Sequence, residues 1–182
     1  MKGIVFNLLE EVVRHEYGED TWDDLLDAAG LDGAYSSLGS YGDEDLMKLV
    51  CAASIALQQP PNAIVRWFGC KALPLMAQAY PHFFTAHHNT RSFVLALNTI
   101  IHPEVRKLYP GADVPVFDFD TTSEEVLIVG YHSPRKMCAF AHGLIEGAAT
   151  HFGEEVLFEQ SLCMHQGDAQ CRFHVRFRKL GV

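Results

Sequence analysis

Along the first two thirds of the chain, apolar residues recur at intervals of three and four, the spacing that keeps them on one face of an α-helix. Ile4, Leu8, Leu9, Val12 and Val13 make the first such stripe. Trp22, Leu25, Leu26 and Ala29 make the second, with Asp20 or Thr21 as its expected N-cap and Gly30 as its stop. The third carries Leu46, Leu49, Val50, Ala53 and Leu57, is capped by Asp43 and ends before Pro60-Pro61. A fourth runs through Ile64, Val65 and Phe68, and is expected to end or kink at Pro74, because proline lacks the helical donor and clashes with the preceding turn. From Thr90 to about Tyr109, Phe93, Val94, Leu97, Ile100 and Ile101 form a wide apolar face that is broken at His102-Pro103.

After Pro110-Gly111 the texture changes. Val114 to Phe119 and Glu125 to Tyr131 are short, rich in β-branched and aromatic residues and separated by turn residues, so they read as strands. Ser133 is the expected cap, and Pro134 the expected first residue, of a helix reaching Phe152. It would carry Met137, Phe140, Ala141, Leu144 and Ala148 on one face and close at Gly153. Val156 to Met164 and Cys171 to Arg178 alternate about residues 165–170, the pattern of a hairpin. The fold class is therefore α+β: an N-terminal helical subdomain followed by a small, largely antiparallel sheet with one long helix. At 182 residues, 48% of them hydrophobic, with no linker, repeat or low-complexity tract, the chain reads as one domain, and the change near residue 110 as a seam within it.

Charge and cysteine usage narrow the partners. A formal net charge of -9 argues against nucleic acid or an anionic membrane, whose phosphates this field would repel. No run of about 18 apolar residues is present to span a bilayer. Glu10 and Glu11 interrupt the apolar start where an export signal would continue, and five cysteines form an odd, loosely spaced set. The expectation is a cytoplasmic protein with reduced thiols. The phosphate-binding, dinucleotide-binding, zinc-protease and nucleophile-elbow patterns are all missing. So is Cys-x-x-Cys-His, so a haem here would be held non-covalently.

Two constellations remain. In the first, His102 ends an apolar helical face and opens the run His102-Pro103-Glu104-Val105-Arg106-Lys107-Leu108-Tyr109-Pro110-Gly111, with Pro115 beyond it. A neutral imidazole is a good axial ligand to iron, and an apolar surface beside it suits a porphyrin leaving water. The plainer reading is a helix-end histidine bonded to a carbonyl. In the second, Tyr131, Ser133 and Arg135 occupy alternate positions of an extended segment, so three donors converge. A planar guanidinium and two hydroxyls suit paired carboxylates such as haem propionates. The plainer reading is a strand end whose serine caps the next helix.

Together with the Met-Lys-Gly start, these residues resemble the haem nitric oxide/oxygen binding (H-NOX) family, related to the haem domain of soluble guanylate cyclase, over essentially the whole chain. The Tyr-x-Ser-x-Arg signature is highly specific to that family. The resemblance implies one haem-binding domain over 1–182, with a helical subdomain over about 1–60, a haem-proximal and sheet portion over about 61–182, and haem b between them. It implies that His102 is the proximal iron ligand, that Tyr131, Ser133 and Arg135 hold the propionates, and that Pro115 presses on the porphyrin. It further implies a sensor of nitric oxide and carbon monoxide, not an enzyme. Nitric oxide would release His102, and the resulting shift would reach a separate signalling protein, such as a histidine kinase or a cyclic-di-GMP enzyme. The expected distal wall is Ile4, Val5, Leu9, Pro74, Phe140 and Leu144. Family members that hold oxygen place a tyrosine at the position matching Phe140.

Cys138, Cys163, His165 and Cys171 form a candidate zinc site, since thiolates and imidazole suit tetrahedral zinc, and some bacterial H-NOX proteins carry such a site near this end. The histidine expected three residues before Cys163 is Gln160 here, so buried structural thiols are the alternative. The tail from Gly143 to Phe173 also resembles vinyl-reductase-like small-ligand domains, which would make a haem-free module for a hydrophobic molecule. That reading leaves His102 and the Tyr-x-Ser-x-Arg set unexplained. A peroxidase needs polar acid–base groups over the iron, where this chain has apolar ones. A thiol or zinc redox sensor is the remaining alternative.

Overall fold

The structure, a computed structural model, describes residues 1–181. Helices α1 (Gly3–Tyr17), α2 (Glu19–Ala29) and α3 (Asp43–Leu57) form from the three predicted stripes. Their apolar faces close one cluster, in which Phe6, Leu9, Val12, Trp22, Leu46 and Leu49 are almost fully buried. Two caps differ from expectation. α2 starts at Glu19, ahead of both Asp20 and Thr21, and Gly42 is the N-cap of α3. Asp43 is the first helical residue, and its carboxylate turns instead to the N-terminal ammonium at 2.7 Å and to Arg135.

α4 (Pro61–Ala79) does not end at Pro74 but continues for another five residues. Proline removes the donor that would bond the Cys70 carbonyl four residues earlier. That carbonyl faces Gly147 of α8 (Cys138–His151), where a Cβ would lie 2.7 Å from it. Gly143 sits closer still: a Cβ there would stand 1.9 Å from the Arg66 carbonyl of α4. With nothing but hydrogen on their α-carbons, these glycines let the two helix backbones pack in contact, and the packing carries α4 past its proline. Above the contact the Arg66 guanidinium forks onto Glu146, with Nε 2.7 Å from Oε2.

The other face of α8 covers an antiparallel sheet of β1 (Val116–Asp120), β2 (Leu127–His132), β3 (Glu154–Leu162) and β4 (Cys171–Lys179), in the order β1-β2-β4-β3. Leu127, Val129, Phe173 and Val175 of the two central strands bury completely against Ala141, Ile145 and Ala148. The α+β class and the predicted hairpin of β3 and β4 thus stand, with strand ends moved by no more than two residues. α4 contributes Phe68 and Ala72 to the helical cluster and Leu73 and Ala77 to the sheet cluster, so it spans both.

The departures lie between elements. Residues 133–137 form a turn with Lys136 at φ 52°, so α8 begins at Cys138 and not at Pro134. Ser133 caps nothing; its Oγ accepts the Arg135 amide within that turn at 3.3 Å. A short helix, α5 (His82–Thr85), follows Pro81 unannounced. The Thr90–Tyr109 segment divides into α6 (Thr90–Leu95), a wide π-helical turn (Leu97–Ile101) and α7 (His102–Leu108). The irregularity therefore falls before His102, while Pro103 is accommodated in the first turn of α7, where its missing N–H costs nothing.

Burial alone would raise the Glu146 carboxyl, but the Arg66 fork and His142, 3.4 Å away, outweigh it and pull the group from 4.5 down to about 2. A carboxyl lowered by folding stabilises above its unfolded pKa, and that contribution disappears as pH falls through the folded value. Glu146→Gln is therefore expected to cost about 1 kcal/mol near neutral pH. Its deficit against the parent should shrink between pH 4.5 and about pH 2. Urea unfolding at several pH values checks this, and a deficit independent of pH would refute it.

Candidate functional site

His102 heads α7, so its ring is placed by the π turn behind it and by β1 beside it. Phe117 of β1 lies parallel to the imidazole, centroids 5.7 Å apart and planes at 30°. The Pro115 carbonyl lies beside the ring, while Nδ1 is buried with no partner among the described residues. Burial, with Arg106 adding to it, lowers the group from 6.5 to about 4 against the opposing carbonyl. At neutral pH the ring is thus uncharged and offers a lone pair. An unsatisfied ring nitrogen in apolar surroundings is what an axial metal ligand requires, and an odd feature otherwise.

Phe117 also touches Tyr131 edge-on at 5.7 Å, so one aromatic ring joins the two sequence constellations. Tyr131 and Ser133 are buried at the end of β2. The Tyr131 hydroxyl accepts the Met137 amide at 3.0 Å and lies in reach of the Ser133 hydroxyl; burial raises its pKa. Arg135 turns away from that pair. Its Nε reaches both Asp43 oxygens at 3.0 and 2.9 Å, and Nη1 lies 3.3 Å from an Asp113 carboxylate oxygen and donates to the Asp113 carbonyl. Asp43 bears burial that would raise it, yet the N-terminal ammonium and Arg135 hold it below the usual carboxylate range. The guanidinium thus stands on a carboxylate base with Nη2 left over among the described residues.

Of the expected distal wall, Ile4, Val5, Leu9 and Phe140 share the helical cluster, and Phe140 stacks on Phe68 at 5.0 Å. Leu144 packs against the sheet cluster. Pro74 is exposed on α4 and belongs to neither. The thiols of Cys138, Cys163 and Cys171 lie within 4.8 Å of one another, as the helix and hairpin pattern suggested. His165 does not join them. The β3–β4 connection coils into a 3-10 turn (Met164–Gln166) that points His165 outward, where its Nε2 meets the Lys136 carbonyl at 2.7 Å. Gln160 hydrogen-bonds the Cys138 side chain instead, and burial pushes Cys171 up to about 12.

Asn98 carried no signal in the sequence beyond being, with Thr99, a polar residue in an apolar run. In the π turn its carboxamide takes both backbone groups of Phe117: Nδ2 donates to the carbonyl at 2.5 Å and Oδ1 accepts the amide at 3.3 Å.

This architecture, a helical cluster joined through α4 and α8 to a four-stranded antiparallel sheet, is the H-NOX fold. The chain belongs to the haem-NO-binding family, whose profile it matches over residues 2–160. It is similar to an H-NOX protein from Shewanella oneidensis in the Fe(II)NO state, at 30% identity and a TM-score of 0.91, covering 98% of this chain and 100% of that one. The H-NOX from Shewanella woodyi, in the Fe(II)CO state with IWP-051 bound, is also 30% identical, with a TM-score of 0.83 over 100% and 97% of the two chains. An unliganded Fe(II) H-NOX protein from K. algicida shares the fold at 22% identity, with a TM-score of 0.87 over 100% and 99%. The family is one of sensor domains, not enzymes. Among the described residues no helix is long and apolar enough to cross a membrane.

Proposed function

We propose that this chain is a cytoplasmic sensor of nitric oxide, binding carbon monoxide as well, with non-covalent haem b held by His102. The carrying observation is the neutral, half-buried imidazole whose Nδ1 has no partner among the described residues. When bound, the haem iron supplies an open coordination position for a diatomic gas. Pro115 and Phe117 flank the imidazole on one side. Arg135, braced by Asp43, and the Tyr131 and Ser133 hydroxyls supply donors for the two propionates.

Ile4, Val5, Leu9, Phe140 and Leu144 exclude water on the opposite side and present no hydrogen-bond donor there. Oxygen gains more from such a donor than nitric oxide or carbon monoxide do, so an apolar wall favours the latter two. His102 is the first residue of α7, so a change in how its ring is held would be felt at the start of that helix. A loosened α7 would alter the surface offered to a separate signalling protein, a histidine kinase or a cyclic-di-GMP enzyme. The three thiols support a narrower reading beside this one: zinc held by Cys138, Cys163 and Cys171, with a fourth ligand other than His165.

His102→Gly is expected to lose the histidine-ligated absorption of the reduced protein and to regain it on addition of imidazole; an unchanged spectrum without imidazole refutes the ligand assignment. The reduced parent in air should form no long-lived oxygen complex, whereas Phe140→Tyr should gain oxygen affinity by roughly five- to 150-fold, the worth of a hydrogen bond of about 1–3 kcal/mol. A stable oxygen complex of the parent would end the selectivity argument. Metal analysis of protein purified reduced and without chelator should find zinc near one per chain, and its absence leaves the cluster as buried thiols.

A further inference from the structure

We propose that Asn98 is the positioning residue for the His102 imidazole, setting the angle and freedom of the ring through Phe117; this rests on His102 being the haem ligand. A single π turn interrupts the regular α-helical ladder just before His102, and such turns frequently fall at functional sites. Here Ile101 reaches back to the Ala96 carbonyl at 3.1 Å, and His102 follows immediately. What stiffens the turn is the Asn98 carboxamide. It docks on Phe117 as a neighbouring peptide group would, satisfying an edge strand that has no further strand beside it among the described residues.

Three contacts then close a ring of constraints around the imidazole. Asn98 ties the π turn to Phe117. Phe117 lies parallel to His102. The Pro115 carbonyl, two residues before Phe117, lies beside the imidazole. Shifting Phe117 therefore moves both the ring's aromatic neighbour and the carbonyl beside it, while His102 moves with the π turn. Without Asn98 the two bodies are no longer locked together. Phe117 also touches Tyr131, so the same lock sets the spacing between the imidazole and the hydroxyl pair. Asn98 does this without touching the haem-binding atoms, and its removal should change how the ligand is held more than whether haem is held.

Two variants separate positioning from mere stability. Asn98→Leu removes both bonds at similar volume. Asn98→Asp keeps the acceptor for the Phe117 amide but sets a carboxylate against its carbonyl, and carries the comparison if the leucine variant fails to fold. On the full chain, with and without haem, amide exchange at Phe117 should accelerate about tenfold in Asn98→Leu and less in Asn98→Asp. In the reduced, haem-loaded protein the iron–histidine stretching band should shift or broaden in the same order, with haem content within about twofold of the parent. Glu146→Gln, a destabilising change remote from His102, should leave that band unmoved.

An unmoved band in both Asn98 variants, with Phe117 exchange accelerated, overturns the proposal, since the lock would then exist without aiming the ligand. If the parent shows no histidine-ligated haem, the reading of His102 as ligand falls separately. The contact between the His102 and Phe117 rings, followed by NMR in the haem-free chain, then decides for Asn98: loss in Asn98→Leu supports its hold on the ring, and persistence overturns it.

Discussion

The contact on which everything else depends is the bare-backbone approach of α8 to α4 at Gly143. A methyl group there would fall 1.9 Å from the Arg66 carbonyl, so the two helices could not keep their present separation. Because α8 presents one face to α4 and another to β2 and β4, that separation also fixes the distance from the helical cluster to the sheet. His102 and Tyr131 belong to the sheet side, Ile4, Val5 and Phe140 to the helical side. The spacing of the two sides is thus set where no candidate ligand residue sits.

Charge is arranged on the same plan. Asp43 opens α3 in the helical part, and Arg135 lies in the turn between β2 and α8, 92 residues further on. Their ion pair crosses from one cluster to the other, as Arg66 and Glu146 do between α4 and α8. Partly exposed pairs of this kind contribute little to stability. Their geometric effect is larger: a guanidinium anchored on two carboxylates has lost most of its rotamer freedom before any ligand arrives.

Much of the fold was legible because burial imposes a period. Stripes such as Leu8, Leu9, Val12 and Val13, and alternations such as those of β4, reflect which face meets the core, and α1, α3 and the strands follow them. Local rules failed where a distant partner overrode them. Asp43 looks like a cap, yet an ammonium and a guanidinium claim its carboxylate. Pro74 looks like a helix end, yet α8 packs across it. His165 is close to the cysteines in sequence, but a 3-10 turn swings it away. His102 could be singled out because an apolar face ends on it; Asn98 could not, since a carboxamide that mimics a strand leaves no pattern in its own segment.

The Arg66–Glu146 crossing has a consequence for the order of assembly. The partners are 80 residues apart, whereas α1 and α2 are joined by Gly18 alone and α2 and α3 by residues 30–42. Closing a loop of that length costs about 4 kcal/mol in chain entropy beyond a fixed term. Long-range contacts of this sort come late and slow the reaction. The first three helices can gather early, but the spacing between the helical cluster and the sheet is completed only when α8 docks on α4. A nascent chain would therefore have no place for a prosthetic group until nearly all of its residues had been made, and cofactor capture becomes a report that folding is complete.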